Sequence, residues 1–234
     1  MNALHPMAHA ELARVFDAFA ADHDAWIAVI TGAGDRAFCT GTDLKYMAAH
    51  GPVDPPPSGF AGLTSRTDLD KPVVACVNGL ALGGGFEIVM ACDLVVAAEH
   101  AEFGFPEPRV GLAALGGGLH RLARQLPLKR AMDLILTARR VGAAEGERLG
   151  FVNRVVPRER LVDETRILLE AMLACAPLAL RASKATAMAS LDTPSLAEAL
   201  AREHPAATRM LASDDAREGP RAFAEKRPPR WTGR

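Results

Sequence analysis

KPVVACVNGLALGGGFEIVMACDLVVAAEHAEFGFPEPRVGL, from Lys71 to Leu112, passes in quick succession through strand, glycine turn, helix, strand and irregular turn. PVVACVNG (Pro72 to Gly79) is short, apolar and β-branched, and so is CDLVVAA (Cys92 to Ala98). Runs of this kind, without polar alternation, suit strands covered on both faces. Between them Gly83, Gly84 and Gly85 precede FEIVMACD, which reads as a helix. Glycines there let a backbone approach a ligand closely and take φ angles that other residues resist. The first N–H groups of a helix lack partners and lie at the positive end of its dipole, a fitting seat for an anion. A plainer reading of the triplet is a tight strand–helix crossing that needs small residues. No Gly-Lys-Ser/Thr follows, so this is not a phosphate loop of the Walker type.

Working towards the N-terminus, WIAVIT (Trp26 to Thr31) reads as another short buried strand, closed by a turn at Gly32 and Gly34. Leu12, Val15, Phe16 and Phe19 recur at helical spacing ahead of it. A second glycine element, FCTGTDL (Phe38 to Leu44), follows that strand. Alone it is a plain turn, yet both glycine elements fall at the ends of candidate parallel strands, where ligands gather in such sheets. GPVDPPPSGFAGLTSR (Gly51 to Arg66) is too rich in proline for a regular helix and reads as a surface loop. GAGDRA (Gly32 to Ala37) fits a dinucleotide fingerprint, but no helix and acid-tipped strand follow it, so dinucleotide binding is rejected.

Towards the C-terminus the character changes after Gly116. LHRLARQLPLKRAMDLILTARR and nearly everything from Arg158 onward is rich in alanine and leucine at helical spacing, with one short strand expected near GFVNRVV. Pro177 and Pro194 are expected to punctuate successive helices. The expected class is α/β, a sheet-based core over residues 1–180 and a helical region over 181–234, without a linker or internal repeat.

Two acids stand in apolar company. Glu87 lies one turn into the helix after the glycines, and Glu107 lies in FGFPEPRVG, among prolines and aromatics. Either one alone is most simply a solvated side chain. Two beside an anion seat suggest acid–base chemistry, because carboxyls sharing a dry site push each other's pKa values apart.

Composition narrows the alternatives. The 234 residues are 49% hydrophobic and 24% charged, with a net charge of −1, so neither nucleic acid nor an anionic membrane is an expected partner. A local basic stretch, EKRPPRWTGR, closes the chain. MNALHPMAHAELARVF has no basic segment ahead of an apolar run, and no stretch has the length of a membrane span. The cytoplasm is therefore the expected compartment. Cys39, Cys76, Cys92 and Cys175 form no C-x-x-C pair and are expected as buried free thiols, with no metal site.

AFCTGTDL, the Lys71–Leu112 block, LGFVNRVV and the closing FAEKRPPRWTGR resemble, in order and spacing, the enoyl-CoA hydratase/isomerase (crotonase) family, from about Asn2 to the last residue. The resemblance implies a spiral of ββα units with a C-terminal helical trimerisation region, and a homotrimer or a dimer of trimers. It implies an oxyanion hole made by the backbone N–H groups of Thr42 and Gly84; alanine is common in the family where Thr42 stands, and a main-chain contact tolerates the change. Hydratases of the family carry two glutamates twenty positions apart, as Glu87 and Glu107 are; its isomerases typically keep the second alone. CoA contacts are expected at Ala37, Cys39, Thr42, Asp43 and Leu44, and at Phe223 and Lys226 near the C-terminus, the last two reaching a neighbouring subunit. Relatives usually have an edge hairpin ahead of a similar N-A-L, and that hairpin is expected to be absent here.

The implied reaction is reversible addition of water to a 2-enoyl-CoA, with an enolate held by the two amides and one water shared by the two glutamates. It calls for no cofactor beyond the CoA of the substrate. A family isomerase, or a dehydratase for a carnitine-type acyl group, would use the same hole. An acyl-CoA-binding homologue without catalysis is the alternative of another class. The loop from Gly51 to Arg66 and the helix after Gly116 are expected to line the acyl pocket.

Overall fold

Each expected strand forms, shorter than the run that announced it. In chain order, α1 (Pro6–Ala21) leads to β1 (Ala28–Thr31), β2 (Ala37–Cys39) and α2 (Leu44–His50). Then come β3 (Val73–Val77), β4 (Leu80–Leu82) and α3 (Gly84–Ala91), followed by β5 (Leu94–Ala98) and β6 (Glu102–Gly104). The next elements are α4 (Gly118–Gln125), α5 (Leu128–Thr137), β7 (Val141–Gly142), α6 (Ala143–Leu149) and β8 (Arg154–Val156). Helices complete the chain: α7 (Leu161–Leu173), α8 (Pro177–Leu191), α9 (Leu196–Ala201), α10 (Pro205–Leu211) and α11 (Asp214–Ala224). The computed structural model describes residues 1–51 and 54–234, so two positions of the proline-rich stretch lie outside the described residues. No helix among the described residues is long and apolar enough to cross a membrane.

Strands β2, β4, β6 and β7 were not foreseen. None exceeds three residues, too few to display alternation, and their hydrogen bonds come from partners distant in sequence. They complete a simple order. From β1 to β6 successive strands go alternately to two sheets, and β7 and β8 then close one each, giving the four-stranded orders β1-β3-β5-β8 and β2-β4-β6-β7. The sequence β1-β2-α2 is repeated as β3-β4-α3, so the chain winds forward one ββα unit at a time. β3 pairs parallel with β5, from Val74 opposite Leu94 to Val77 opposite Ala97, and β2–β4 and β4–β6 are parallel as well. Every residue of β3 is buried, as its unbroken apolar run requires. β1 corrects the expectation of a buried strand: it lies at the sheet edge, and its residues alternate between half-buried and exposed.

Asn78 ties the turn that follows β3 to the one that follows β1. Its Oδ1 accepts from the Gly32 amide at 3.1 Å, and its Nδ2 donates to the carbonyls of Gly32 and Gly34, both at 2.9 Å. Asn78→Ala should cost about 1–3 kcal/mol, since main-chain groups of the turn after β1 lose their partners. A lower denaturation midpoint with an unchanged slope in urea would show it.

α3 is buried on nearly all sides, from Gly84 to Met90, as expected of a helix apolar all round. Phe86 fixes it, with its ring centroid 4.7 Å from Phe105, 5.1 Å from Phe151 and 5.5 Å from Phe103. The stretch read as a surface loop is another correction. Its second half turns inward, and Gly59 to Thr64 are buried around a 3-10 turn at Phe60–Gly62. There, Arg66 donates to the carbonyls of Gly62 and Ala13 at 2.7 and 3.1 Å. Three cysteines are buried, with no disulfide among the described residues, but Cys175 is exposed, because it lies just past the end of α7.

The chain divides into two units. One takes in residues 1–21, 29–67 and 73–166, and the other residues 22–28, 68–72 and 167–234. In the second, Asp70 accepts two hydrogen bonds from Arg181, at 2.9 and 3.1 Å, and one from Arg209 at 3.3 Å. Buried Asp215 accepts from the amides of Thr232 and Gly233, at 2.7 and 2.9 Å, and so anchors the C-terminal tail to α11. Pro177 opens α8 and Pro194 stands just ahead of α9, as expected.

Candidate active site

β2 and β4 are parallel neighbours, so the glycine turns at their C-terminal ends lie side by side. Gly83 turns the chain from β4 into α3 with φ 56° and ψ −127°, a conformation that favours glycine. The other turn approaches so closely that a Cβ on Gly41 would stand 3.0 Å from the Gly84 nitrogen. Leu4 holds that turn in a strand-like bridge. Its amide donates to the Gly41 carbonyl at 2.8 Å, and its carbonyl accepts from the Asp43 amide at 2.9 Å. Groups of the intervening residue point away from such a bridge. The Gly84 amide belongs to the first turn of α3, where no helical carbonyl is available. Among the described residues, neither the Thr42 nor the Gly84 amide donates a hydrogen bond.

Thr42 and Gly84 both border a cavity of about 460 Å³ that Glu87 and Glu107 also line. Glu87, 4% exposed, reaches it from the first turn of α3, and its Oε1 accepts from the Gly118 amide at 2.9 Å. A Cβ on Gly116 would lie 2.5 Å from Glu87 Oε2, so the α4 start is wrapped around this carboxylate. Burial raises the Glu87 pKa; the amides of Gly118 and Gly116 and the charge of Arg121 act against it. Glu107 begins a 3-10 turn at Glu107–Val110, and its Oε2 is buried with no partner among the described residues. Burial pushes its carboxyl up to about 7, against the pull of its own amide, and the charge of Glu87 adds to the rise. The two acids thus differ: Glu87 has donors that favour the carboxylate, while Glu107 has an oxygen without a donor.

The cavity brings together Thr42, Gly84, Glu87, Glu107, Asp43 and Leu44. Asp43 also caps α2, accepting from the amides of Lys45 and Tyr46 at 3.0 and 3.1 Å. Ala37 and Cys39 do not line it, because they belong to β2 and are buried in the sheet; burial raises the Cys39 thiol to about 11. Phe223 is 87% exposed on α11, and Lys226 follows that helix, also exposed. The lining includes Phe60, whose ring would meet a Cβ on Gly84 at 2.3 Å, as well as His5, His9 and Tyr46. Phe60 belongs to the loop expected to line the acyl pocket, whereas His5, His9 and Tyr46 were missed, since helical spacing does not say which residue in or beside α1 or α2 faces a cavity. The wall expected from the helix after Gly116 comes instead from the segment before it, including Val110, Leu112 and Leu115.

Known proteins resemble the chain throughout. The family model described as enoyl-CoA hydratase/isomerase matches residues 1–234. A protein named carnitinyl-CoA dehydratase from Citrobacter koseri is 42% identical over 242 aligned positions, which take in all of this chain and 91% of that protein. The protein of the same name from Escherichia coli K12 is likewise 42% identical over the same coverage. Among solved structures, the enoyl-CoA hydratase EchA1 of Mycobacterium marinum superposes with a TM-score of 0.91 at 39% identity, over 99% of this chain and 90% of that one. A structure described as a putative short chain enoyl-CoA hydratase from Novosphingobium aromaticivorans gives 0.88 at 36%, over 99% and 91%. The two-sheet spiral described above is therefore the crotonase fold.

Proposed function

Because the chain belongs to the enoyl-CoA hydratase/isomerase family, we propose that it adds water reversibly across the α,β double bond of an enoyl-CoA thioester. The carrying observation is the pair of acids, Glu87 and Glu107, withdrawn from water on one cavity with the free Thr42 and Gly84 amides. The thioester oxygen sits between the two amides. Glu87, the better-stabilised carboxylate, takes a proton from water as the water oxygen bonds to the β-carbon. The π electrons shift towards the thioester, and the amides hold the enolate. Glu107, whose pKa burial pushes up to about 7, gives its proton to the α-carbon. The proton taken up by Glu87 then passes to Glu107, which restores both acids; the net change is one water added, and the reverse sequence dehydrates a 3-hydroxyacyl-CoA.

Binding of the CoA moiety near Asp43 and Leu44 is part of this reading, as is trimeric assembly. Apolar side chains on α8 to α10 that stay exposed in the single chain, among them Leu191, Leu200 and Leu211, support the latter. The relatives named carnitinyl-CoA dehydratase favour a second choice of acyl group for the same reaction. Double-bond migration has less support, because it leaves Glu87 without a task.

Loss of the enoyl thioester absorbance with crotonyl-CoA tests the proposal, with product oxygen traced from labelled water. Incorporation of one solvent oxygen is expected. Turnover of a 3-enoyl-CoA without solvent oxygen, and none of crotonyl-CoA, would replace hydration by isomerisation.

A further inference from the structure

His9 is a buried titratable group on the cavity that the chemistry above does not use. It is 8% exposed, on the first turns of α1, and its ring stands edge-on to Phe60 with centroids 4.4 Å apart. Phe60 in turn lies over Gly84. The imidazole is thus one aromatic ring away from the helix start assigned to the thioester oxygen.

Its hydrogen bonding fixes what it offers. His9 Nδ1 accepts from the Ala61 amide at 3.0 Å. An amide can only donate, so Nδ1 carries a lone pair, and in the neutral ring the proton is on Nε2. Burial lowers the His9 pKa, and the charge of nearby His5 lowers it further, both in favour of the neutral ring. Among the described residues, Nε2 makes no hydrogen bond, yet it is not among the fully buried side-chain atoms that lack partners. On a residue this buried, whose side chain lines the cavity, the exposed donor faces the cavity.

We propose that His9 is a specificity-determining residue, whose Nε2–H selects acyl groups bearing an oxygen acceptor beyond the β-carbon over purely hydrocarbon ones. The proposal rests on the acyl-CoA reading of this cavity. A hydrocarbon chain there would leave a desolvated donor without a partner, and sites built with such a donor discriminate against the analogue lacking the acceptor. His5, whose Nδ1 accepts from the Ala8 amide at 3.3 Å, lines the same wall, but it is exposed.

The test uses binding, so that it is independent of turnover. Affinities of butyryl-CoA and glutaryl-CoA are measured calorimetrically in wild type, His9→Leu and His9→Gln, with crotonyl-CoA hydration followed separately. The wild type should prefer the oxygenated chain, and His9→Leu should erode that preference on the order of tenfold. His9→Gln, which keeps a donor near the Nε2 position, should restore most of it. Taking the ratio of two ligands cancels any general loss caused by the stranded Ala61 amide. An equal ratio in wild type and His9→Leu overturns the proposal, as does absence of binding by both ligands. A retained ratio shift with no hydration by the wild type would sink the hydratase reading and leave this one standing.

Discussion

Glu107→Gln should lower kcat for hydration of crotonyl-CoA by on the order of a hundred- to ten-thousandfold, with KM little changed. The amide keeps the shape of the side chain and the Thr42 and Gly84 donors stay in place, so substrate still binds; what is lost is the proton for the α-carbon. The pH profile distinguishes this from a steric effect. In the wild type the hydration rate should fall as pH rises through about 7, where Glu107 gives up its proton, and the residual rate of the variant should not follow that limb. Stability should move the opposite way. The folded pKa is raised above the ordinary 4.5, so the folded chain holds a proton that the unfolded chain has released. That contribution is whole below 4.5 and is lost as pH rises through 7, leaving a buried charge. The glutamine variant should therefore be more stable than wild type by about 1–3 kcal/mol above pH 8 and equal to it below pH 4. Equal kcat values for the two proteins would remove Glu107 from the chemistry.

This division of labour could be foreseen only in part. The positions of both acids and both glycine turns were legible because a glycine triplet between a strand and an apolar helix leaves few conformations open. Unequal proton affinity was not legible. It arises from the amides of Gly116 and Gly118, which close on Glu87 from about thirty residues further along the chain. Nor did any local signal mark His9 as a cavity residue, since its role depends on the Ala61 amide, 52 positions away. The core shows the same split. β3 and β5 announce themselves by composition, whereas β2, β4 and β6 exist because parallel partners supply their hydrogen bonds. Resemblance to a family filled that gap for the fold, by carrying tertiary information that short apolar triplets lack.

Gly85→Ala should do more damage to the protein than any substitution of a cavity-lining side chain. A Cβ at that position would lie 1.9 Å from the Cys39 carbonyl oxygen and 2.6 Å from its carbon. Both are backbone atoms of β2, so no rotamer change can relieve the overlap, and α3 must move away from the sheet. The helix cannot move alone, since Phe86, next in sequence, is wedged among Phe103, Phe105 and Phe151. A loss of about 3 kcal/mol or more is expected, at the upper end for overpacking. The Gly84 amide and Glu87 share the first turn of α3 with Gly85, so the displacement also separates the anion seat from its neighbour at Thr42. Hydration should fall at least about a hundredfold even at temperatures where the variant is folded, the scale for losing one donor of such a hole. Gly142→Ala is the control, because a Cβ there meets nothing within 4 Å and its φ of −74° suits alanine. Thermal unfolding followed by circular dichroism, with activity assayed well below each transition, separates the two effects. A Gly85→Ala protein as stable and active as the Gly142→Ala control would show that the α3 start does not need its close seat on β2, and the geometry assigned to the anion seat would fall with it.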